Sequence, residues 1–406
     1  MAFSLAVMVA LVTGLAGAAR AGGTETSPVH VQNQATPSEG GLVLDTRELW
    51  RAGASDDGPL FSVIVQALTD ERGNVYLLDK QQSAVWTFTA DGRFLGTLTR
   101  EGEGPGETRR PADMALLPDG SVGICSEHSG RLVCVNRDGI PQRSIQVGGP
   151  QAIRGETVWL DGVASRAGLL VFLCQEILHS GGKQTTNYYL AGVDDDGREL
   201  CRYFEKAIVD DFADFRINEV EYYFPKGRLW AIGPDGRVYL VPHRNQYRID
   251  VFTRDGALQS VIERDFLPVR RDGKEKAATR KAYEEWYRSF SASIELEDTE
   301  PAITRLMVDG KGLLWVLSAR GVHEQPEGIM ATYDVFGADG RFVRQVAVSC
   351  DGDGRYDDLF FLGEDRLMLV TGAYEAAIAL RGIPLIRDAS TDPAPMEVIC
   401  LDLVDR

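Results

Sequence analysis

This sequence predicts an all-β protein made of one repeated four-stranded unit, and three observations carry that reading. Short apolar segments alternate with tight polar turns along almost the whole chain. Asp-Gly steps punctuate them, at Asp91-Gly92, Asp119-Gly120, Asp138-Gly139, Asp196-Gly197, Asp235-Gly236, Asp255-Gly256 and Asp339-Gly340. Glycine accepts positive φ and aspartate bonds its own backbone, so the pair suits strand-to-strand turns. The last unit falls one strand short, while an unassigned strand-like segment stands near the front. Four-stranded units repeated around a ring are the blades of a β-propeller, and the count here predicts six.

The elements follow in order. Ala2 to Ala18 is almost unbroken in small and apolar residues, and Ala19-Arg20-Ala21 has the small-x-small form of a signal-peptidase site. Residues 1–21 therefore read as a signal peptide, with a transmembrane anchor as the competing reading; the segment is short and rich in Gly and Ala. No Cys follows the run, which argues against a lipoprotein anchor. Residues 22–40 read as a flexible polar leader. The propeller is assigned to 41–406.

The first blade runs Ala67 to Asp70, Val75 to Asp79, Val85 to Phe88 and Phe94 to Leu98. The second has Met114 to Leu117, Val122 to Cys125 and Leu132 to Asn136. The third has Thr157 to Leu160, Leu169 to Cys174 and Tyr188 to Val193. The fourth has Leu229 to Ile232, Val238 to Val241 and Ile249 to Phe252. The fifth has Ile303 to Val308, Leu313 to Leu317 and Tyr333 to Phe336. The sixth has Leu359 to Leu362, Arg366 to Val370 and Met396 to Leu403, and lacks a fourth strand. Leu42 to Trp50 can supply it, closing the ring with an N-terminal strand and removing exposed sheet edges.

Gly73-Asn74-Val75-Tyr76-Leu77-Leu78-Asp79, Gly104-Pro105-Gly106-Glu107 and Gly312-Leu313-Leu314-Trp315-Val316 resemble the bacterial six-bladed, NHL-repeat-like propellers. So does a helical insertion, residues 262–301, placed before the fifth blade. The resemblance spans about Leu42 to the end and implies the fold. It leaves function open, because such families put binding proteins, lyases and hydrolases on one scaffold.

Composition excludes some partners. The chain has 406 residues, 44% hydrophobic and 25% charged, as in a globular protein. Its net charge of −17 excludes nucleic acid and disfavours anionic membrane surfaces. Six cysteines suit an oxidising compartment, and Cys125 and Cys134 could face each other across a hairpin; buried apolar thiols are the plainer alternative. No CxxC occurs, against a thiolate zinc site.

Strands alternate in direction, so the loops sort onto two ends of the blades. Short Asp-Gly turns occupy one end. Every long insertion falls at the other: Gln175 to Asn187, Glu205 to Gly227, Ile262 to Pro301, Ala319 to Gly328 and Gly372 to Pro395. Function is expected there. Asp272 to Phe290 reads as a helix whose Tyr283, Trp286, Tyr287 and Phe290 form an aromatic face, packed on the rim or serving as a lid.

Of five histidines, His128, His179, His243 and His323 each fall between second and third strands. Imidazoles from successive blades could hold Zn²⁺ or another transition ion, with Glu127, Glu176 and Glu324 as ligands or bases. Arg244 and Arg320 could grip a substrate carboxylate. The plainer alternative is a solvated loop face, since no HExxH-type spacing appears. Gly102 to Glu107 lacks the Lys-Ser/Thr of a phosphate loop, and Asp351 to Asp358 lacks EF-hand spacing.

Two functions are carried forward. The preferred one is an exported, periplasmic or extracellular module that binds a peptide, glycan or protein ligand through its loop-decorated face. The alternative is a metal-assisted lyase or hydrolase at the mouth of the central channel. Neither reading includes a membrane span after processing.

Overall fold

In the computed structural model, residues 27–53, 59–126, 129–149, 157–379 and 396–404 are described. The signal-peptide reading lies outside them, as does His128 with Glu127. No helix among the described residues is long and apolar enough to cross a membrane.

An N-terminal arm forms β1 (Val29–Asn33) and β2 (Gly41–Ala52). Sheet I is β3 (Ile64–Thr69), β4 (Val75–Asp79), β5 (Ala84–Phe88) and β6 (Phe94–Thr97). Sheet II is β7 (Pro111–Leu116), β8 (Val122–Ser126), β9 (Arg131–Val135) and β10 (Ile145–Gln146). Sheet III is β11 (Thr157–Arg166), β12 (Leu169–Ser180), β13 (Lys183–Val193) and β14 (Glu199–Asp211). After β15 (Arg216–Asn218), sheet IV is β16 (Trp230–Ile232), β17 (Val238–Leu240), β18 (Arg248–Phe252) and β19 (Leu258–Arg264). Helix α1 (Gly273–Trp286) and β20 (Ser293–Glu295) follow. Sheet V is β21 (Ile303–Val308), β22 (Leu314–Ser318), β23 (Ile329–Phe336) and β24 (Phe342–Ser349), with the short α2 (Arg320–His323) between its middle strands. Sheet VI is β25 (Asp358–Leu362), β26 (Arg366–Val370) and β27 (Val398–Leu403), with α3 (Ala373–Ala379) after β26.

Strand periodicity explains how the sheets pack. In β4, Val75 and Leu77 face sheet VI, whereas Tyr76 and Leu78 face sheet II. Apolar residues on both faces let every sheet sit between two others. Further clusters join II to III, III to IV, IV to V and V to VI. Each interface thus links one sheet to the next in chain order, and one more links the last to the first. The first strands adjoin one another from sheet to sheet and line the centre.

The arm is used twice along one strand. Gly41 to Asp45 of β2 pair in parallel with β24, and Thr46 to Ala52 pair antiparallel with β27. β2 therefore ties sheets V and VI into one eight-stranded sheet. Residues 29–33, expected to be flexible leader, instead form β1, parallel to β19. Asn33 explains the attachment: its side chain donates to Glu263 O (3.1 Å) and Gly340 O (3.0 Å) and accepts from Phe342 N (2.8 Å). Composition reported polarity there; the open edge of β19 supplied the order.

Two expected loops are also strands. β12 and β13 continue through Gln175 to Asn187, and β14 runs to Asp211. Their outer halves are polar, so they read as loops. Gly181 and Gly182 turn the chain at the tip, both at positive φ (58° and 79°), as a two-residue hairpin requires. The cysteine pairing is corrected too. Cys125 lies opposite Leu132 and Cys134 opposite Gly123, and both thiols are free. Burial pushes the Cys134 thiol up to about 11, which keeps it protonated and unreactive.

Candidate functional site

Each first strand begins at the loop-bearing end, and near that start each sheet brings one polar side chain to the centre. They are Gln66, Asp113, Asp161, Arg228, Arg305 and Asp358, from sheets I to VI in order. A β-bulge recurs there in four sheets, between Ile64 and Gln66, Pro111 and Asp113, Leu160 and Gly162, and Ile303 and Arg305. A bulge re-aims one side chain without ending the strand, and so allows a polar residue inside an apolar sequence.

On one side of the centre stands Asp113. Its carboxylate accepts from Gln66 Nε2 (2.9 Å), Met114 N (2.9 Å) and Val163 N (3.1 Å), all neutral donors. Asp161 accepts from Gln175 Nε2. Burial raises the Asp113 pKa from the ordinary 3.8 to about 6, only partly offset by those hydrogen bonds. Across the centre, Arg228 donates to Asp358 Oδ2 (2.7 Å) and Leu359 O (3.0 Å), and lies 3.8 Å from the Phe360 ring centroid. Arg305 donates to Asp358 Oδ1. Burial lowers the Arg228 pKa to about 10, with Asp358 opposing it, so the guanidinium stays charged at neutral pH. Burial also works against the Asp358 carboxylate, but Arg228 and Arg305 outweigh it and hold the pKa low.

Between the two groups lies a cavity of about 330 Å³, walled by Asp113, Asp161, Val163, Arg228 and Trp230 among others. The Trp230 indole N–H is buried there without a hydrogen-bond partner in the protein. A Cβ placed on Gly162 would stand 3.5 Å from Trp230 Cζ2 and 3.6 Å from Asp113 Oδ2, so the indole edge and the carboxylate flank the same glycine. A larger cleft of about 450 Å³ opens between sheets II and III at the Asp-Gly end. There the carboxylates of Asp119 and Asp194 are spent within their own turns, on Ser121 and on Asp196 N and Arg198 N. The central cavity is the better-equipped site.

The residues singled out by type are not gathered in this way. His179 is exposed at the β12–β13 tip, opposite Gln184. His243 is exposed after β17, and partial burial and Arg248 lower its pKa. His323 ends α2, with Nδ1 3.8 Å from Glu275. Among the described residues no three His, Cys, Asp or Glu side chains are grouped to hold a metal ion. Glu176 accepts from Asn187, and Glu324 pairs with Arg320.

Arg244 is buried, donating to Thr299 O (2.9 Å) and Glu219 Oε2 (3.5 Å). Glu219 also takes Arg271 on both oxygens (3.0 and 2.8 Å) and Glu297 N (2.7 Å), while Arg271 reaches Glu300 (2.9 Å). This network pins the insertion that carries α1. The helix is capped by Asp272 and Glu275 in a reciprocal box and buries no residue of its own. Its aromatic end packs on the segment after β14: Tyr287 meets Phe215 at 5.3 Å and Phe290 stacks on Phe212 at 4.9 Å.

No protein-family model and no curated protein matches the chain. Among solved structures, a candidate exported protein of Bacteroides fragilis matches 93% of this chain and 100% of its own, with a TM-score of 0.50 and 10% identity. A gluconolactonase of Xanthomonas campestris matches 84% of this chain and 87% of its own, with a TM-score of 0.45 and 14% identity. Virginiamycin B lyase of Staphylococcus aureus matches 89% of this chain and 100% of its own, with a TM-score of 0.43 and 9% identity. At such identities the likeness is one of fold: a mostly β, propeller-type assembly of four-stranded sheets.

Proposed function

We propose that this chain is an exported six-bladed β-propeller that binds a small polar molecule at the centre of its ring. The observation that carries the reading is that Gln66, Asp113, Asp161 and Arg228 line a single cavity, with Arg228 bonded to Asp358, which Arg305 also reaches. Six sheets packed in cyclic order support the blade count. The pairing of β2 with β27 supports closure by an N-terminal strand, with β1 making the domain begin ahead of residue 41. The apolar run at Ala2 to Ala18 and the Ala19-Arg20-Ala21 step support cleavage after residue 21 and a periplasmic or extracellular location. The repeat phrases support an NHL-like kinship.

A buried charged ring beside a void costs folding free energy, which a bound partner would offset. The loop-bearing end surrounds the cavity, so a peptide or glycan held there by loops near His179, His243, Arg320 and His323 would present its polar group to the ring. A zinc site built on His128, His179, His243 and His323 is not part of this proposal, because the described three are not grouped with one another.

A second reading has one observation in its favour. With its pKa near 6, Asp113 can both give and take a proton around neutrality, as a general acid–base of a lyase or hydrolase must.

Thermal-shift and calorimetric titration with amino acids, sugars, sugar acids and nucleosides tests both. Binding by wild type that weakens at least about tenfold in Asp161→Asn supports the site. Absence of binding across the panel, or binding indifferent to Asp161→Asn, overturns it. Turnover lost in Asp113→Asn while binding persists selects the enzyme.

A further inference from the structure

The two sides of the central cavity differ in charge. On sheets IV to VI, Arg228 and Arg305 share one carboxylate, Asp358, which leaves that side one positive charge in excess. On sheets I to III, the described residues of the cavity wall include Asp113 and Asp161 and no lysine, arginine or histidine. The Asp113 carboxylate is met there by amide donors alone. The field inside the cavity therefore runs from a positive wall to a negative wall.

A ligand bearing one sign of charge would satisfy one wall and be repelled by the other. A neutral ligand would gain little from either. A molecule with both charges a few bonds apart satisfies both at once.

Trp230 adds a directional requirement. It is 6% exposed and lines the same cavity as Arg228, which stands two residues earlier, just ahead of β16. Its buried N–H lacks an acceptor, and an unmet buried donor is costly. A ligand carboxylate drawn to the Arg228 wall would supply that acceptor.

We propose that the ligand is a small zwitterion, a free α-amino acid, with its ammonium toward Asp113 and Asp161 and its carboxylate toward Arg228 and Trp230. This rests on the channel reading above and narrows it to a chemical class. The cavity has room for the head group and a side chain directed toward the loop-bearing end.

The test is calorimetric titration of the full mature protein with each of the twenty amino acids, then with matched analogues of the best binder. For leucine these are 3-methylbutan-1-amine, which lacks the carboxylate, and 4-methylpentanoate, which lacks the ammonium. Glucose serves as the neutral polyol. The expected result is binding by at least one amino acid, at least tenfold weaker for both analogues (about 1.4 kcal/mol or more) and for Asp161→Asn. Trp230→Phe, which keeps the ring and removes the N–H, should weaken it severalfold. Thermal melts confirm that each variant is folded.

If no amino acid binds, or if an analogue binds as well as its parent, the zwitterion is overturned. Glucose binding lost in Asp161→Asn would leave the channel site standing with a different ligand class. Amino-acid binding unchanged in Asp161→Asn would overturn the channel site itself.

Discussion

Two buried charge clusters in this protein use the same residue types to opposite ends. Around Glu219, two arginines meet two glutamates: Arg244 and Arg271 are 3% and 6% exposed, and the carboxylates receive them with a backbone amide besides. Charge balances there between two guanidiniums and two carboxylates. At the centre, Arg228 and Arg305 share Asp358, and Arg228 lines a cavity of about 330 Å³ together with Asp113 and Asp161. The first arrangement fixes a segment, because every charge already has its partner. The second leaves charge and a donor facing a space of ligand size. Charge imbalance beside a void, more than burial or pKa alone, separates a prospective site from a structural clasp.

The largest expected effect belongs to the clasp. Glu219→Ala leaves Arg244 and Arg271 buried without their shared carboxylate, and should cost about 3–5 kcal/mol of stability in chemical denaturation. The aromatic contacts of α1 with Phe212 and Phe215 should loosen with it, read as faster amide exchange over residues 273–290. Ligand binding should change far less than stability. A stable Glu219→Ala protein would break the comparison from the structural side.

Asp358→Asn should cost less, about 2–3 kcal/mol, because Asn keeps an acceptor and the channel offers water to the two guanidiniums. Here the binding effect should dominate, since the positive wall gains an uncompensated charge: anionic compounds should begin to bind, measured by the same titrations. Equal losses in Glu219→Ala and Asp358→Asn, with no change in ligand preference, would make the two clusters the same kind of object.

The smallest effect is one of pH. The Asp113 pKa rises from 3.8 to about 6 on folding, so between those values the native state holds more proton than the unfolded one. Stability therefore falls as pH rises through that window, and the penalty is complete above about pH 6. At about 1.4 kcal/mol per unit the full shift would be worth about 3 kcal/mol, and channel water reduces it to about 1–3. Asp113→Asn removes the dependence. From about pH 4 to about pH 7.5, the stability difference between variant and wild type should move in the variant's favour by that amount. A pH-independent difference would show that the Asp113 pKa is the same in both states.

The sequence made the repeats legible because strand periodicity and Asp-Gly turns are local signals. The segment after Asp272 was equally readable, as a run of good helix formers. The central cluster was not, because Gln66, Asp113, Asp161 and Arg305 are scattered polar residues in mostly apolar strands. Superposing the repeats on their first strands would have brought them into one column, each beside its bulge. The histidines drew notice by residue type and loop position, yet position in a loop sets only which end of a sheet a side chain occupies. The partners of Arg244 were hidden for the same reason: Glu219 and Thr299 come from distant segments.

By itself the sequence determined the all-β class, the four-stranded repeat, the turn chemistry and the place of the helix, since each depends on residues adjacent in the chain. Tertiary structure decided that β2 serves two sheets, that 29–33 is a strand, and that six scattered polar residues share one centre. Those outcomes depend on which edges and faces meet after the sheets pack, and packing joins residues hundreds of positions apart.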